Sequence, residues 1–496
     1  MRERRPRLLG AMLLASFVLA SPSHGQSGLG QIDDASTAPR GLLRLRTITA
    51  WTRYDQRFST TGVQQLGGFL TADSLGPREV PELASIQSLV EAATASPFLL
   101  TLGRSRLDAT AREEIIPIGL EYGLSNRLSM SVFAPIVRKR ATPLMRLDIK
   151  QFGANVGPNP RRTSLGAQQT NTQVQAEFAN AIAQLEARLS SCQSNPAGPG
   201  CSTLLARQAE AQQLIQSSQT FATDLAALYG SATNDGMAFV PINLSDAQVA
   251  IGARVAGFNT QYQNLLTTSA NLIQAVPAGA GGPAGVAEFR DYFVGELGRD
   301  SLNFQEWVGI GDMQVGFRFR VLDHPKSERN RIGAQLTVAS DVRLPTGSTQ
   351  SRSSVVDVRL GEGSVIVDSR ALFDVHVGRL GLLAAGQYAV NVRDKDTLNV
   401  STRNSRWTEI QLAPRWHLSE PLSFHLAYSL RSTDKLGGDQ LAGVGVTYST
   451  LSAYRAGGRS LPMEMRFTHL EAVSGDANRP KFFRDQLEVR VYFRLR

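Results

Sequence analysis

Between Asp312 and Val321 every second residue is apolar: Met313, Val315, Phe317, Phe319 and Val321 alternate with Asp312, Gln314, Gly316, Arg318 and Arg320. A period of two puts the first set on one face of a β-strand and the second on the other, whereas a helix would mix them. The same alternation sets Ile332, Ala334, Leu336, Val338, Val342 and Leu344 against Gln335, Thr337, Asp341 and Arg343. Phe373, Val375 and Val377 oppose Arg370, Asp374 and His376. Leu422, Phe424, Leu426, Tyr428 and Leu430 oppose Ser423, His425, Ser429 and Arg431, and Leu487, Val489, Val491, Phe493 and Leu495 oppose Glu488, Arg490, Tyr492 and Arg494. The pattern predicts about twelve strands. They lie near 42–58, 112–123, 127–138, 303–322, 331–344, 364–378, 381–394, 405–418, 421–432, 439–449, 461–471 and 485–495.

The links between these strands alternate in length. Leu124-Ser125-Asn126 is followed by a very long insert, Asp323–Asn330 by Pro345–Gly363, Arg379-Leu380 by Lys395–Asn404, and Ser419-Glu420 by Ser432–Gly438. The link near Ser452 to Ser460 breaks the rhythm. A soluble β-sandwich also alternates along its strands, so the loops carry the distinction. An up-and-down barrel of a bacterial outer membrane has tight periplasmic turns, long outer loops and strands of about ten residues crossing an apolar band. Closure also removes the sheet edges that lipid does not tolerate. Trp51, Tyr122, Trp407, Trp416, Tyr448 and Phe493 fall near strand ends, where an interfacial girdle would hold them. The expected fold is all-β: a transmembrane up-and-down antiparallel barrel with a large helical insertion.

Residues 139–302 form that insertion. In Thr172–Ser190, Val174, Phe178, Ala181, Leu185 and Leu189 share one helical side, and Ala211, Leu214, Ser218, Phe221, Leu225 and Leu228 step by three and four. Cys192 and Cys201 flank the breaker Asn195-Pro196-Ala197-Gly198-Pro199-Gly200. In an oxidising compartment they are expected to pair across the tip of an αα-hairpin. Ser245-Asp246-Ala247-Gln248 matches a capping box and starts a helix expected to run towards Val276. Pro277–Gly285 reads as a Gly/Pro linker, because its glycines lack the Lys-Ser/Thr and the strand–helix setting of a phosphate loop. Pro81–Ala95 reads as a short helix in the first outer loop.

The N-terminus supplies the compartment. Arg2, Arg4, Arg5 and Arg7, the apolar run Leu8–Ala20 and the polar Ser21–Gln26 have the layout of a secretory signal, too short to span a bilayer. Removing residues 1–25 takes away four arginines and Glu3, so the formal charge falls from +9 to about +6. An exported, mildly basic chain is not expected to meet nucleic acid. Two cysteines and six histidines leave little for a metal centre, and no cofactor is expected. The expected organisation is a signal peptide over 1–25, N-terminal barrel strands with a long first outer loop over 26–138, the mainly helical insertion over 139–302 and C-terminal barrel strands over 303–496. The implied surroundings are the outer membrane of a Gram-negative-type bacterium, its lipid and its barrel-assembly machinery.

If the apolar faces meet lipid, the interior receives Asp312, Arg318, Arg320, Asp341, Arg343, Asp374, His376, Glu409, Arg415, Arg431, Glu464, Arg466, Glu488, Arg490 and Arg494. Such charges are costly unless paired or hydrated. Two interiors satisfy them: a closed, salt-bridged filling, or a wet pore whose arginines favour anions. In the second case Asp312, Arg318, Arg320, Asp341, Arg343, Asp374, His376, Arg415, Arg431, Arg466 and Arg490 would line the pore.

Three short motifs suggest a family. Ile118-Gly119-Leu120-Glu121-Tyr122-Gly123-Leu124-Ser125-Asn126-Arg127-Leu128-Ser129, followed by Ala134-Pro135, resembles a hairpin of the outer-membrane channels named for the meta-pathway of phenol degradation. Gly309-Ile310-Gly311-Asp312-Met313-Gln314-Val315-Gly316 is similar to that family's Gly-x-Gly-Asp strand start, and Leu344-Pro345-Thr346-Gly347 to its Leu-Pro-Thr-Gly strand end. The resemblance covers roughly 112–138 and 303–496 and implies a barrel admitting small, often apolar or aromatic, molecules. The helical insertion and the ending Phe493-Arg494-Leu495-Arg496 depart from the pattern, since barrels often end on an aromatic residue.

Two other classes stand beside the channel. An outer-membrane lipase would need a serine beside His469, which follows Met463, Met465 and Phe467 on the outward face but precedes Leu470 and Glu471. His469 therefore reads as an interface histidine and no enzyme is expected, while His376 and His425 read as inward polar residues. A surface protein could instead use the barrel to display the helical insertion as a binding or adhesion module. Passive passage of a small solute is the leading reading.

Overall fold

A computed structural model describes residues 33–148, 153–299, 302–324, 332–348, 360–361, 363–394, 406–433, 438–457, 461–477 and 479–494. The expected signal peptide lies outside the described residues. The chain divides into a barrel unit within Met1–Gln65, Thr110–Thr142 and Phe304–Arg496, and a second unit of Leu66–Ala109 and Pro143–Asn303.

Its strands are β1 Leu42–Ser59, β2 Gly62–Gln65, β3 Arg104–Gly123, β4 Leu128–Asp148, β5 Val156–Pro158, β6 Phe239–Pro241, β7 Gln305–Ile310 and β8 Met313–His324. They continue with β9 Ile332–Leu344, β10 Ser364–Val377, β11 Leu380–Asp394, β12 Arg406–His417, β13 Leu422–Thr433, β14 Asp439–Ser449, β15 Met463–Gly475 and β16 Pro480–Arg494. Twelve of them, β1, β3, β4 and β8 to β16, pair antiparallel with their neighbours in sequence order, and β16 closes on β1 from Leu42↔Arg494 to Arg57↔Pro480. The ring is therefore an up-and-down barrel of twelve staves, as the alternation predicts.

One stave is broken. β8 pairs with the first part of β4, Leu128–Phe133, and β7 with the later part, Ile136–Ala141, so the single strand expected over 303–322 is interrupted at Gly311-Asp312. The three sequence motifs meet at this break. Gly311 N donates to Pro135 O at 2.8 Å, Met313 N to Thr346 Oγ1 at 2.9 Å, Thr346 Oγ1 to Gly311 O at 2.9 Å, and Gly347 N to Asp312 Oδ1 at 2.9 Å. A Cβ on Gly361 would lie 2.5 Å from the same Asp312 oxygen, so the backbone can approach only without a side chain there. Two motif glycines serve interior side chains: a Cβ on Gly119 would strike the Phe133 ring, and one on Gly316 the Asp341 carboxylate.

In the second unit the principal helices are α1 Leu83–Thr94, α2 Leu165–Ser194, α3 Cys201–Ala206, α4 Gln208–Tyr229 and α5 Asp246–Leu266. The expected stripes are the buried ones, and Phe178, Phe221 and Phe258 meet with ring centroids 5.1 to 5.8 Å apart. Ser164 and Ser245 cap α2 and α5, accepting from Ala167 N and Gln248 N. The helix begun at Ser245 stops ten residues short of the expected Val276, because Thr267 turns left-handed (φ 53°) and the Asn259 carboxamide then accepts from Leu272 N and Ile273 N. The Gly/Pro segment is pinned rather than open: Gln248 Nε2 donates to Pro277 O, Ala278 N to Asn171 Oδ1 and Ala280 N to Pro241 O. No described helix is long and apolar enough to cross a membrane.

Cys192 and Cys201 form the expected disulfide, joining α2 to α3 over a sequence separation of 9. A loop of that size stabilises by roughly 2.5–3 kcal/mol in the chain-entropy description. Replacing both cysteines by serine is expected to lower the stability of the second unit by about that amount. Limited proteolysis within α2 to α4 should accelerate while the barrel keeps its heat-modifiable gel migration.

Candidate functional site in the barrel interior

The barrel inverts the usual soluble arrangement. Along β8, Phe317 and Phe319 are 52% and 48% exposed while Arg318 between them is 2% exposed. Leu412, Trp416, Leu426, Val444, Val446 and Phe467 likewise face outward. Of the expected interior residues, Asp312, Arg318, Asp341, Arg343, Asp374, Arg466 and Arg490 are buried, and Arg320, His376, Arg415 and Arg431 are half-buried. Glu409, Glu464 and Glu488 share the interior, whereas Arg494, the last residue of β16, is exposed at the rim of the ring, where it pairs with Leu42.

These residues do not form one site. Asp312 belongs to the joint between β7 and β8. Asp374 holds His376 Nε2 at 2.8 Å, with the His417 ring 5.4 Å from that of His376. Arg431 pairs with Glu409 at 3.4 Å and lies over Trp407. That contact turns Trp407 inward, so it does not belong to the expected girdle. Arg318, Arg320, Asp341, Arg466 and Arg490 do come together, around a segment that strand periodicity could not reveal.

The segment is Asp33 to Ala38. It precedes β1 and lies buried inside the ring. Gly41 N donates to Gly123 O at 2.9 Å and Leu42 N to Pro39 O at 3.0 Å, where the segment joins the end of the barrel that carries the β3–β4 turn. Inside, Ala38 N donates to Glu121 Oε1 at 3.0 Å, Thr337 Oγ1 to Ala35 O at 2.5 Å and Arg318 Nη1 to Ser36 O at 2.8 Å. Arg44 Nη1 donates to Ser36 Oγ at 2.8 Å and Arg320 Nη2 to Thr37 Oγ1 at 2.6 Å. Ala35 packs on Ala339, Leu372 and Ala385, an apolar patch on the inner wall.

Two carboxylates of this segment sit among five arginines. Asp33 pairs with Arg318, with Arg46 at 3.1 Å and with Arg370 at 3.4 Å. Asp34 pairs with Arg490 and, at 3.1 Å, with Arg466. The wall adds Glu488, which bridges Arg46, Arg466 and Arg490, and Asp341, which holds Arg370. Burial alone would raise the Asp33 carboxyl, but the fields of Arg318, Arg46 and Arg370 outweigh it and hold the pKa far below the usual carboxylate range. Asp34 is lowered in the same way, with burial opposed by Arg490, Arg466 and Arg44.

Arg44, Arg46, Asp33 and Asp34 were absent from the sequence-predicted set, and Arg370 appeared only as part of a polar strand face. A signal for the first pair existed in Arg44-Leu45-Arg46, where two arginines share the inward face of β1. The inner wall is also less polar than the alternation implies: Leu383, Ala413, Ala427 and Leu470 form a buried apolar cluster. On the outer face His469 Nδ1 lies 2.7 Å from Asp485 Oδ1, its hydrogen-bond partner among the described residues, and Trp51 Nε1 donates to Glu114 at 3.2 Å. This half-exposed polar row suits an interface histidine.

No family model matches the chain, and no curated protein matches it. Among solved structures it is similar to an outer-membrane channel from Pseudomonas putida F1, at 11% identity over 93% of this chain and 98% of that one, with a TM-score of 0.40. It is similar to the translocator domain of the autotransporter NalP from Neisseria meningitidis, at 6% identity, 92% and 91% coverage and a TM-score of 0.31. For the Ralstonia pickettii toluene transporter TbuX the values are 8%, 92%, 90% and 0.25.

A carboxylate whose folded pKa is depressed contributes its full stabilisation above its unfolded pKa of about 3.9, and that stabilisation is lost progressively as pH falls from there through the lower, folded value. The docked segment should therefore keep its amide-exchange protection over residues 33–41 from pH 7 down to pH 4, read by hydrogen-exchange mass spectrometry and corrected for the intrinsic rate. Loss of protection at about pH 4 would mean ordinary carboxyl pKa values. Asp33→Asn leaves Arg318 buried without its ionic partner, a change that costs about 3–5 kcal/mol, and should cut protection roughly a hundredfold or more.

Proposed function

We propose that this chain is an outer-membrane β-barrel that passes a small solute by passive diffusion, with residues 33–38 as a plug that must leave or shift for passage. The observation that carries the reading is the pairing of an apolar outer belt with a charged interior filled by a segment outside the wall. The outer face supplies the band that lipid requires, and a wall of neighbouring strands needs no plug to close its backbone hydrogen bonds. Filling the interior with detachable chain leaves a polar path once the filling moves. Arg318, Arg320, Arg343, Arg415, Arg431, Arg466 and Arg490, with Asp312, Asp341, Asp374 and His376, would line that path. The apolar patches around Leu372 and Leu383 would accept the body of an apolar or aromatic solute. Export by a signal peptide and insertion by the barrel-assembly machinery belong to the same reading, as does a channel rather than an enzymatic role for His469.

Planar-bilayer recording on the refolded mature chain tests it. The wild-type barrel is expected to open rarely. Asp33→Asn/Asp34→Asn should open in discrete steps, with at least a tenfold higher open probability and a reversal potential showing anion preference, since the arginines lose two counter-charges. A folded double variant that stays silent would overturn the channel reading. Deletion of residues 160–285 separates the display alternative: a channel keeps its conductance, and a scaffold displaying the helices loses its role.

A further inference from the structure

We propose that the arginine-lined interior is a binding site for a small carboxylate with an apolar body, and that Asp33 and Asp34 occupy it as a built-in competitor. The proposal rests on the channel reading above and supplies its solute class. Guanidinium groups match planar carboxylates in shape and hydrogen-bonding direction as well as in charge, and five of them converge on these two side chains. Neither carboxylate belongs to the wall, so the acceptors can be exchanged without breaking a stave.

A second observation points the same way. Arg415 on β12 has two buried donors, Nε and Nη2, without a hydrogen-bond partner among the described residues. His425 on β13 lies directly opposite it in register, and His425 Nδ1 and the Thr447 hydroxyl on β14 are likewise buried and unpartnered. Buried donors left unmade are expensive, so the interior holds unused capacity for an acceptor beyond the two that the chain supplies. Two residues farther along the same strands, Ala413 and Ala427 join Leu383 and Leu470 in the apolar cluster. Side chains two residues apart share a strand face, so polar donors and an apolar patch adjoin on one wall. The plug has the same mixed chemistry, presenting two carboxylates beside the methyl of Ala35, which rests on Leu372.

Benzoate and the similarly sized neutral benzyl alcohol are suitable probes, with calorimetric binding to the full refolded chain as readout. Asp33→Asn/Asp34→Asn should bind benzoate at least tenfold more tightly than wild type, with benzyl alcohol unchanged. Arg415→Gln should weaken benzoate binding severalfold in either background. In the unaltered chain, benzoate should lower the amide-exchange protection of residues 33–41 and benzyl alcohol should not, which serves as the test if the double variant fails to fold. Equal benzoate affinity in wild type and double variant, or parallel gains for both probes, would overturn the proposal and leave a purely steric plug. Binding is measured without transport, so a silent barrel that binds benzoate refutes the channel reading alone, and a conducting barrel indifferent to benzoate refutes this one alone.

Discussion

The interior is governed by the cost of burying arginine. A guanidinium inside the ring cannot shed its charge, so each one needs a carboxylate or an oxygen held at the right place. Most find it across a neighbouring strand. Arg44 lies opposite Glu121, Glu464 opposite Arg490, Arg466 opposite Glu488 and Glu409 opposite Arg431. Because side chains alternate strictly, a slip of one residue would turn every such pair into lipid and bring Phe467 or Val489 inside. The ion pairs therefore specify register as much as they stabilise it. Arg318 departs from this: the wall places Ser129 and Ala339 opposite it, and its ion pair among the described residues is with Asp33. Without the N-terminal segment that charge loses the ion pair with Asp33, its carboxylate contact among the described residues.

The same reasoning separates what could be read in the chain from what could not. Period two survives translation into structure because lipid and interior impose opposite chemistry on adjacent residues, and it placed all twelve staves. The break at Gly311-Asp312 shows in it only as a change of phase, outward Val308 and Ile310 standing at even positions and outward Phe317 and Phe319 at odd ones, which a single strand over 303–322 does not accommodate. Parity also puts Leu372 with Arg370 and Asp374, and Leu470 with Arg466 and Thr468, on the inward face, but nothing in residue type shows that these leucines join buried apolar patches there. Trp407 was misplaced for a related reason: an aromatic near a strand end suits both an interface and an arginine.

Residues 33–38 were the least legible part of the site. A segment held by side chains from β1, β8 and β9 needs no periodicity of its own, and its two aspartates acquire meaning only when the ring is closed around them. The glycines of the family-like motifs were visible as residues but not as functions. Gly119 makes room for Phe133, which lies beneath Arg46, and Gly316 leaves space for the Asp341 carboxylate. Their roles follow from distances between strands that the sequence separates widely.

The segment's mode of attachment differs from that of the staves. A wall strand is held by a backbone ladder on both sides. Asp33 to Ala38 instead rests on side-chain donors from the wall, with backbone bonding concentrated at its base beside Gly123. Gly41, at φ 73°, lies between the segment and β1 in a conformation that glycine adopts without penalty. Displacing the segment would leave the twelve-stave ladder whole and transfer its cost to the arginines it had neutralised. That cost falls when another acceptor takes its place, so the chemistry that fills the barrel also defines what could exchange with the filling.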